Sequence, residues 1–333
     1  MKSTAIAPPN RVICLGEILF DCLADDLGKS LNQVTSWTAY PGGAPANTAC
    51  ALVKLGTSSA FIGCVGQDSL GESLIQILQT EGVDVSGVQR NSKFPTRQVY
   101  VLRQTNGDRD FAGFSSSQPS AFADAYLQGQ NLPEILFLEA EYLVIGTLEL
   151  AYSQTRQAVF RALELAERYH LKIVLDVNRR PMFWDNEAEA KSLIAKLWPY
   201  VDFVKLTKEE AEWLFGKTDA GAISHHLGSV EGVLISDGER EVSYCLSDNE
   251  GRVQPFSLQV IDTTGAGDAF TAGFIHQLCQ HGISSLSDRE LAKNIVIYAC
   301  AVGGLTATKP GAISAQPTAK EVELFLQQHH NAH

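Results

Sequence analysis

The sequence predicts an open α/β fold: a mostly parallel sheet with helices on both faces and a small β-sheet inserted into it. Three observations carry that prediction. Short β-branched apolar runs alternate with amphipathic segments of helical period along most of the chain. Glycines stand at the ends of several helical segments, as helix stops. Between about Val85 and Phe114 the rhythm changes to short alternating strands, as an insertion would make it.

The elements follow in order. RVICLGEIL (11–19) starts as a buried strand, preceded by a loose tail over 1–10. Gly42-Gly43 open the Ala-rich helix APANTACALVK, which stops at Gly56. Ala60 to Val65 reads as a strand and SLGESLIQILQTE as a helix ending at Gly82. RQVYVLRQ and the turn residues Asn106-Gly107-Asp108 signal a hairpin in the inserted sheet. After the polar loop Ser115–Ser120 the rhythm resumes with YLVIG, a helix over 153–169, KIVLD, a helix near 187–197, FVKL, a helix over 208–215, and VLIS. FSLQVI (256–261) reads as a further strand, and helices over 264–279, 289–303 and 318–328 close the chain before a short tail over 329–333.

Composition narrows the function. With 333 residues, 45% of them hydrophobic, the chain can bury a large core, and one main domain is expected. A net charge of -12 disfavours nucleic acid or an anionic membrane surface as partner. No run reaches the roughly 18 apolar residues that a bilayer span needs. Pro8, Pro9, Asn10 and Arg11 interrupt any signal segment. The seven cysteines form no CxxC pair and sit mostly in apolar surroundings, as reduced thiols in a cytoplasmic protein do.

DTTGAGDAF (262–270) concentrates the chemistry. Small residues between a strand and an apolar helix leave amides uncovered at the helix N-terminus, where the helix dipole attracts anions and glycine admits a phosphate. Asp268 follows that cradle, positioned to accept the proton of an alcohol that attacks a phosphorus. An aspartate in a first helical turn also reads as a simple complement to the dipole. Near the N-terminus, Asp21 and the GGAPAN segment (42–47) offer a carboxylate and an amide suited to a polyol, although Asn47 also reads as a helix cap and Asp21 as a turn residue. Other phosphate motifs fail. The Gly265-Ala266-Gly267 start of a dinucleotide fingerprint ends in Phe270, and Gly28-Lys29-Ser30 and Gly216-Lys217-Thr218 lack the glycine five positions earlier.

GGAPAN together with DTTGAGDAFTAGF resembles the two signatures of the ribokinase-like, or PfkB-family, sugar kinases, over about Arg11 to Gln328. CLGEILFD, PTRQVYV and TKPGAI make the chain most similar to the fructokinases of that family. The resemblance implies ATP-dependent phosphorylation of a sugar hydroxyl, most simply D-fructose to fructose 6-phosphate. Another ketose, 2-keto-3-deoxygluconate or a nucleoside is an alternative acceptor, and a silent sugar or nucleotide sensor is an alternative of a different class. It also implies a ribokinase-like fold with a β-sheet lid from about 20–40 and 85–120.

By resemblance, Asp268 is the general base and Gly265, Ala266 and Gly267 form the anion hole. Asp21, Gly42, Gly43, Asn47 and Arg97 would hold the sugar. Asn178, Arg180, Ser236, Gly238 and Cys300 would line the nucleotide. Glu210 would support magnesium through water, and Asp262, Thr264 and the carbonyl of Gly311 a monovalent cation, typically potassium. ATP and Mg2+ are thus the expected cofactors, and a homodimer through the lid is a possible assembly. Departures stand beside these matches: Ser117-Gln118 precede Pro119-Ser120 where fructokinases often carry arginine, and Thr207 replaces a frequent asparagine.

Overall fold

The computed structural model describes residues 11–103, 109–116, 118–184 and 186–329. In chain order, β1 (Val12–Leu15) is followed by β2 (Leu19–Ala24), β3 (Trp37–Gly42), helix α1 (Ala44–Lys54), β4 (Ser59–Gly66), α2 (Ser69–Glu81) and β5 (Asp84–Asn91). Then come β6 (Gln98–Arg103), β7 (Arg109–Phe114), α3 (Glu134–Glu139), β8 (Tyr142–Ile145), α4 (Ser153–Tyr169), β9 (Lys172–Asp176), α5 (Glu187–Ile194) and β10 (Phe203–Thr207). The last part holds α6 (Lys208–Phe215), α7 (Ala220–Leu227), β11 (Gly232–Ser236), β12 (Val242–Leu246), β13 (Asn249–Val253), α8 (Ala266–His281), α9 (Arg289–Ala307) and α10 (Ala319–Gln328).

The large sheet runs in the order β13-β12-β11-β10-β9-β8-β1-β4-β5. It is parallel from β11 to β5, and only β12 and β13 run antiparallel. Its strands are apolar throughout because both faces are covered. In β1, Val12 and Cys14 enter the core packed by α1, α8 and α9, while Ile13 and Leu15 enter the opposite core with α4. All seven cysteines are buried and unpaired. Among the described residues no helix is long and apolar enough to cross a membrane.

A second sheet, ordered β3-β2-β6-β7, stands apart from the first. Leu19, Val99, Leu148 and Phe183 share one apolar cluster that seats this small sheet on the body. The expected lid segment beginning at 85 is corrected here: β5 pairs in parallel with β4 at the edge of the large sheet, completing a β-α-β unit through α2, and the small sheet resumes only at β6. The turn signal Asn106-Gly107-Asp108 lies outside the described residues, as do 1–10 and 330–333. His329, expected in the tail, packs against Phe325 with ring centroids 4.2 Å apart and the rings tilted by 32°.

One expectation near the C-terminal third fails. FSLQVI forms no strand; Val260 and Ile261 are exposed and the segment pairs with neither sheet. The antiparallel pair β12–β13 takes that place in the topology. Its register joins Leu246 to Asn249 across a two-residue turn in which Ser247 adopts φ +51°, a left-handed conformation fitted to tight hairpins.

Candidate active site

The carboxyl ends of the parallel strands, the underside of the small sheet and the start of α8 enclose a cavity of about 460 Å³. Ligand sites in open α/β sheets form in this crevice. Asp21 reaches it from β2, Gly43 and Asn47 from the start of α1, Asn178 and Arg180 from the loop after β9, Glu210 from α6, and Thr264, Gly265, Gly267 and Asp268 from the loop that opens α8.

Local conformation explains the small residues. Gly265 caps α8 at φ +75°, and a Cβ there would meet the Ala312 Cβ at 2.8 Å. Gly43 sits at φ +108°, where a Cβ would come within 2.5 Å of the Glu17 carbonyl oxygen. A Cβ at Gly42 would approach Asp21 Oδ2 to 2.5 Å, so Gly42, which does not line the cavity, makes room for the carboxylate that does. First-turn amides of α8 lack a carbonyl one turn back. The amide of Ala266 donates to the Thr263 carbonyl at 3.2 Å, and of the expected anion-hole residues only Gly265 and Gly267 line the cavity.

Asn47 Nδ2 donates to Asp268 Oδ2 at 2.8 Å. Burial, and then the charge of Asp176, push the Asp268 carboxyl up to about 6, against the opposing pull of Asn47, Lys205 and Arg180. At neutral pH that carboxyl is ionised yet basic enough to take a proton.

Other expected residues lie elsewhere. Arg97 does not line the cavity, a correction to its assignment as a sugar ligand. Its guanidinium is fully buried, paired with Asp124 (Nη2 to Oδ1, 2.7 Å) and caged by aromatic rings, including Phe122 at 4.5 Å and Phe183 at 5.0 Å from its central carbon. Cys300 is likewise corrected as a nucleotide-lining residue: it is buried within α9 in the core, with its thiol pushed up to about 12 by burial. Ser236 and Gly238 stand at the end of β11, beside Thr207 but outside the cavity wall. Ser236 Oγ donates to the Leu206 carbonyl at 3.3 Å, and Gly238 turns at φ +56°.

Asp262, Thr264 and Gly311 meet in an adjoining cavity of about 190 Å³. Asp262 Oδ1 accepts from the Thr264 amide (2.9 Å) and hydroxyl (2.7 Å), and Asp262 Oδ2 from the Gly311 amide (3.0 Å). Glu210 is buried and accepts from the amides of Arg179 (2.6 Å) and Thr207 (2.7 Å), which fixes the loop after β9 to the start of α6.

Two charged lining residues escape sequence reasoning. Glu17 Oε1 accepts from the Ala44 amide at 2.8 Å and so anchors the start of α1, while its own amide donates to Glu149 Oε1 at 3.1 Å. Burial, and then the charge of Glu149, hold the Glu17 carboxyl well above the ordinary range. Lys205, within the apolar run FVKL, turns its ammonium to the cavity and pairs with Asp176 at 3.1 Å.

Comparison with known proteins decides the family. The model of the pfkB family carbohydrate kinases matches residues 9–319. The chain belongs to that family. It is 33% identical over 319 residues to fructokinase-2 of Oryza sativa subsp. japonica, covering 95% of this chain and 94% of that protein. Among solved structures it is similar to a fructokinase from Xylella fastidiosa with bound ATP (TM-score 0.87, 28% identity, 97% of this chain and 100% of that one). It is also similar to a fructokinase from Vibrio cholerae O395 holding fructose, ADP and a potassium ion (TM-score 0.82, 26% identity, 95% and 98%). This pfkB-family chain therefore has the ribokinase-like fold and is a sugar phosphotransferase.

Proposed function

We propose that this kinase transfers the γ-phosphoryl group of ATP to the 6-hydroxyl of D-fructose. The observation that carries the reading is the convergence of Asp268, held by Asn47, with Gly265, Gly267 and Asp21 around one cavity. Similarity to fructokinases over nearly the full chain supports fructose as the acceptor.

In this reading Asp21 and the GGAPAN segment orient the sugar, and Asp268 accepts the hydroxyl proton as its oxygen forms a bond to the γ-phosphorus. The bond from that phosphorus to the bridging oxygen breaks, and ADP leaves. The amides of Gly265 and Gly267 stabilise the charge on the transferred group. The small sheet is the lid, and its apolar underside (Val99, Val101, Phe111) excludes water from the reacting centre.

Among the described residues no cluster of three or more His, Cys, Asp or Glu could hold a metal alone. The expected magnesium ion would arrive with the nucleotide and keep much of its water. Glu210, whose oxygens retain lone pairs beyond the two amides they accept, fits as its partner through water. Bound there, magnesium would neutralise phosphate charge. Asp262, Thr264 and Gly311, the residues that the resemblance gives to a monovalent cation such as potassium, meet beside the anion loop, although here Asp262 accepts from the Thr264 and Gly311 amides and Arg103 lines the same pocket. Exposed Leu27 and Leu31 beside the small sheet support a homodimer through the lid, and seven cysteines free of disulfides support a cytoplasmic setting.

The test is ADP release by the purified protein with MgATP and, in turn, fructose, ribose, 2-keto-3-deoxygluconate, adenosine and fructose phosphates. Fructose is expected to give the highest kcat/KM. A clear preference for another acceptor would replace the sugar, and no turnover with any would return the chain to a binding role.

A further inference from the structure

Gly267 poses a question that backbone geometry does not answer. Unlike Gly265, it is absent from the residues with positive φ, so an L side chain could adopt its conformation. What a side chain would meet is Lys205: a Cβ at 267 would lie 3.1 Å from Lys205 Nζ, and among the described residues no other atom outside the helix lies within 4 Å. The glycine therefore keeps open the space between an ammonium and the cavity above it.

That ammonium is expensive to keep where it is. Lys205 is 7% exposed and sits in β10, among residues that otherwise pack the core. Asp176 pairs with it through Oδ1 and accepts from the Thr271 hydroxyl through Oδ2 at 2.9 Å; the Gly267 carbonyl, 3.1 Å from the same hydroxyl, is its alternative acceptor. Three carboxylates, those of Asp176, Glu210 and Asp268, surround one cation, and Arg180 also faces the cavity. Burial alone would pull the Lys205 pKa down, and these carboxylates outweigh it, so the group stays charged.

We propose that Lys205 is a further catalytic residue: its ammonium, held under Gly267 by Asp176, contacts the oxygens of the γ-phosphoryl group during transfer. A phosphoryl group seated on the amides of Gly265 and Gly267 lies within hydrogen-bonding range of a cation placed there, and charge accumulates on its equatorial oxygens as it moves. The proton balance is unchanged: Lys205 remains protonated, and the hydroxyl proton goes to Asp268. The inference rests on the phosphotransfer reading but not on which sugar is the acceptor.

Removing Lys205 alone leaves Asp176 buried and unpaired and invites misfolding. The informative protein is therefore the double variant Lys205→Met/Asp176→Asn, a neutral pair of similar volume, beside Asp176→Asn alone. The readout is binding of ADP with aluminium fluoride, a mimic of the phosphoryl group in transfer, against ADP alone, each with and without fructose. The double variant is expected to bind ADP within a few-fold of wild type, to lose affinity for ADP–aluminium fluoride on the order of 10²-fold, and to lose kcat to a similar extent. Asp176→Asn keeps the ammonium and should retain most of that affinity. The proposal is overturned if the double variant binds the mimic as wild type does, or if Asp176→Asn alone loses as much as the double. Because ADP–aluminium fluoride binding is also read without sugar, a wrong acceptor would show as missing fructose turnover in wild type and would leave this comparison intact.

Discussion

The amide of Asn47 and the carboxylate of Asp268, 221 residues apart in sequence, meet at 2.8 Å in the wall of the cavity. The contact ties the start of α1, which carries GGAPAN, to the start of α8, which carries the anion loop. It also fixes the direction in which the Asp268 oxygens face.

Loss of that contact should be visible in the pH profile. Asn47→Ala removes a hydrogen bond to a buried charge, worth about 1.5–3 kcal/mol, or roughly 10- to 100-fold in rate if it acts in the transition state. Because Asn47 holds the Asp268 pKa down, its removal should move the acidic limb of kcat/KM to higher pH. An unchanged limb would separate Asn47 from the base.

In wild type that limb should lie near pH 6, since the reaction needs the ionised form of a carboxyl raised to about 6 by burial and by Asp176. The stability consequence has the opposite sign to that of a paired surface aspartate. The folded pKa lies above the unfolded one, so the folded state holds the extra proton, and stability falls as pH rises from about 4 through about 6. Asp268→Asn should therefore melt no lower than wild type at pH 7.5, with a gain of up to about 3 kcal/mol. A lower melting temperature would contradict the strained environment assigned to this carboxyl.

Much of this was legible in the sequence, and the failures have physical causes. GGAPAN and DTTGAGDAF declare themselves because helix starts need particular small residues locally, whatever the rest of the chain does. Lys205 and Arg97 were opaque because their roles depend on partners 29 and 27 residues away, Asp176 and Asp124, and a charge within an apolar run does not announce its counter-ion. FSLQVI has strand composition without a strand beside it to pair with, whereas the hairpin of β12 and β13 turns on Ser247-Asp248, without the Asn-Gly or Asp-Gly pair that marks such turns most strongly.

Arg97 should prove structural. Arg97→Ala leaves Asp124 buried without its cation and is expected to cost about 3–5 kcal/mol in urea unfolding while the KM for sugar stays within about twofold. A raised KM with unchanged stability would restore it to the sugar site.

Gly265→Ala tests the anion loop. A methyl group at φ +75°, pressed against Ala312, should shift the amides of the α8 start. The expected loss is on the order of 10²- to 10³-fold in kcat, on a protein that still folds but melts lower because of the strain at this position. Wild-type turnover would exclude this loop from the reaction.

The most direct measurement is steady-state ADP release by Asp268→Asn with fructose and MgATP, made beside wild type on protein shown to be folded by its melting curve. Turnover should fall by about 10²- to 10⁴-fold. A folded variant that phosphorylates fructose at close to the wild-type rate would mean that the proton leaves by another route and that Asp268 is not the base.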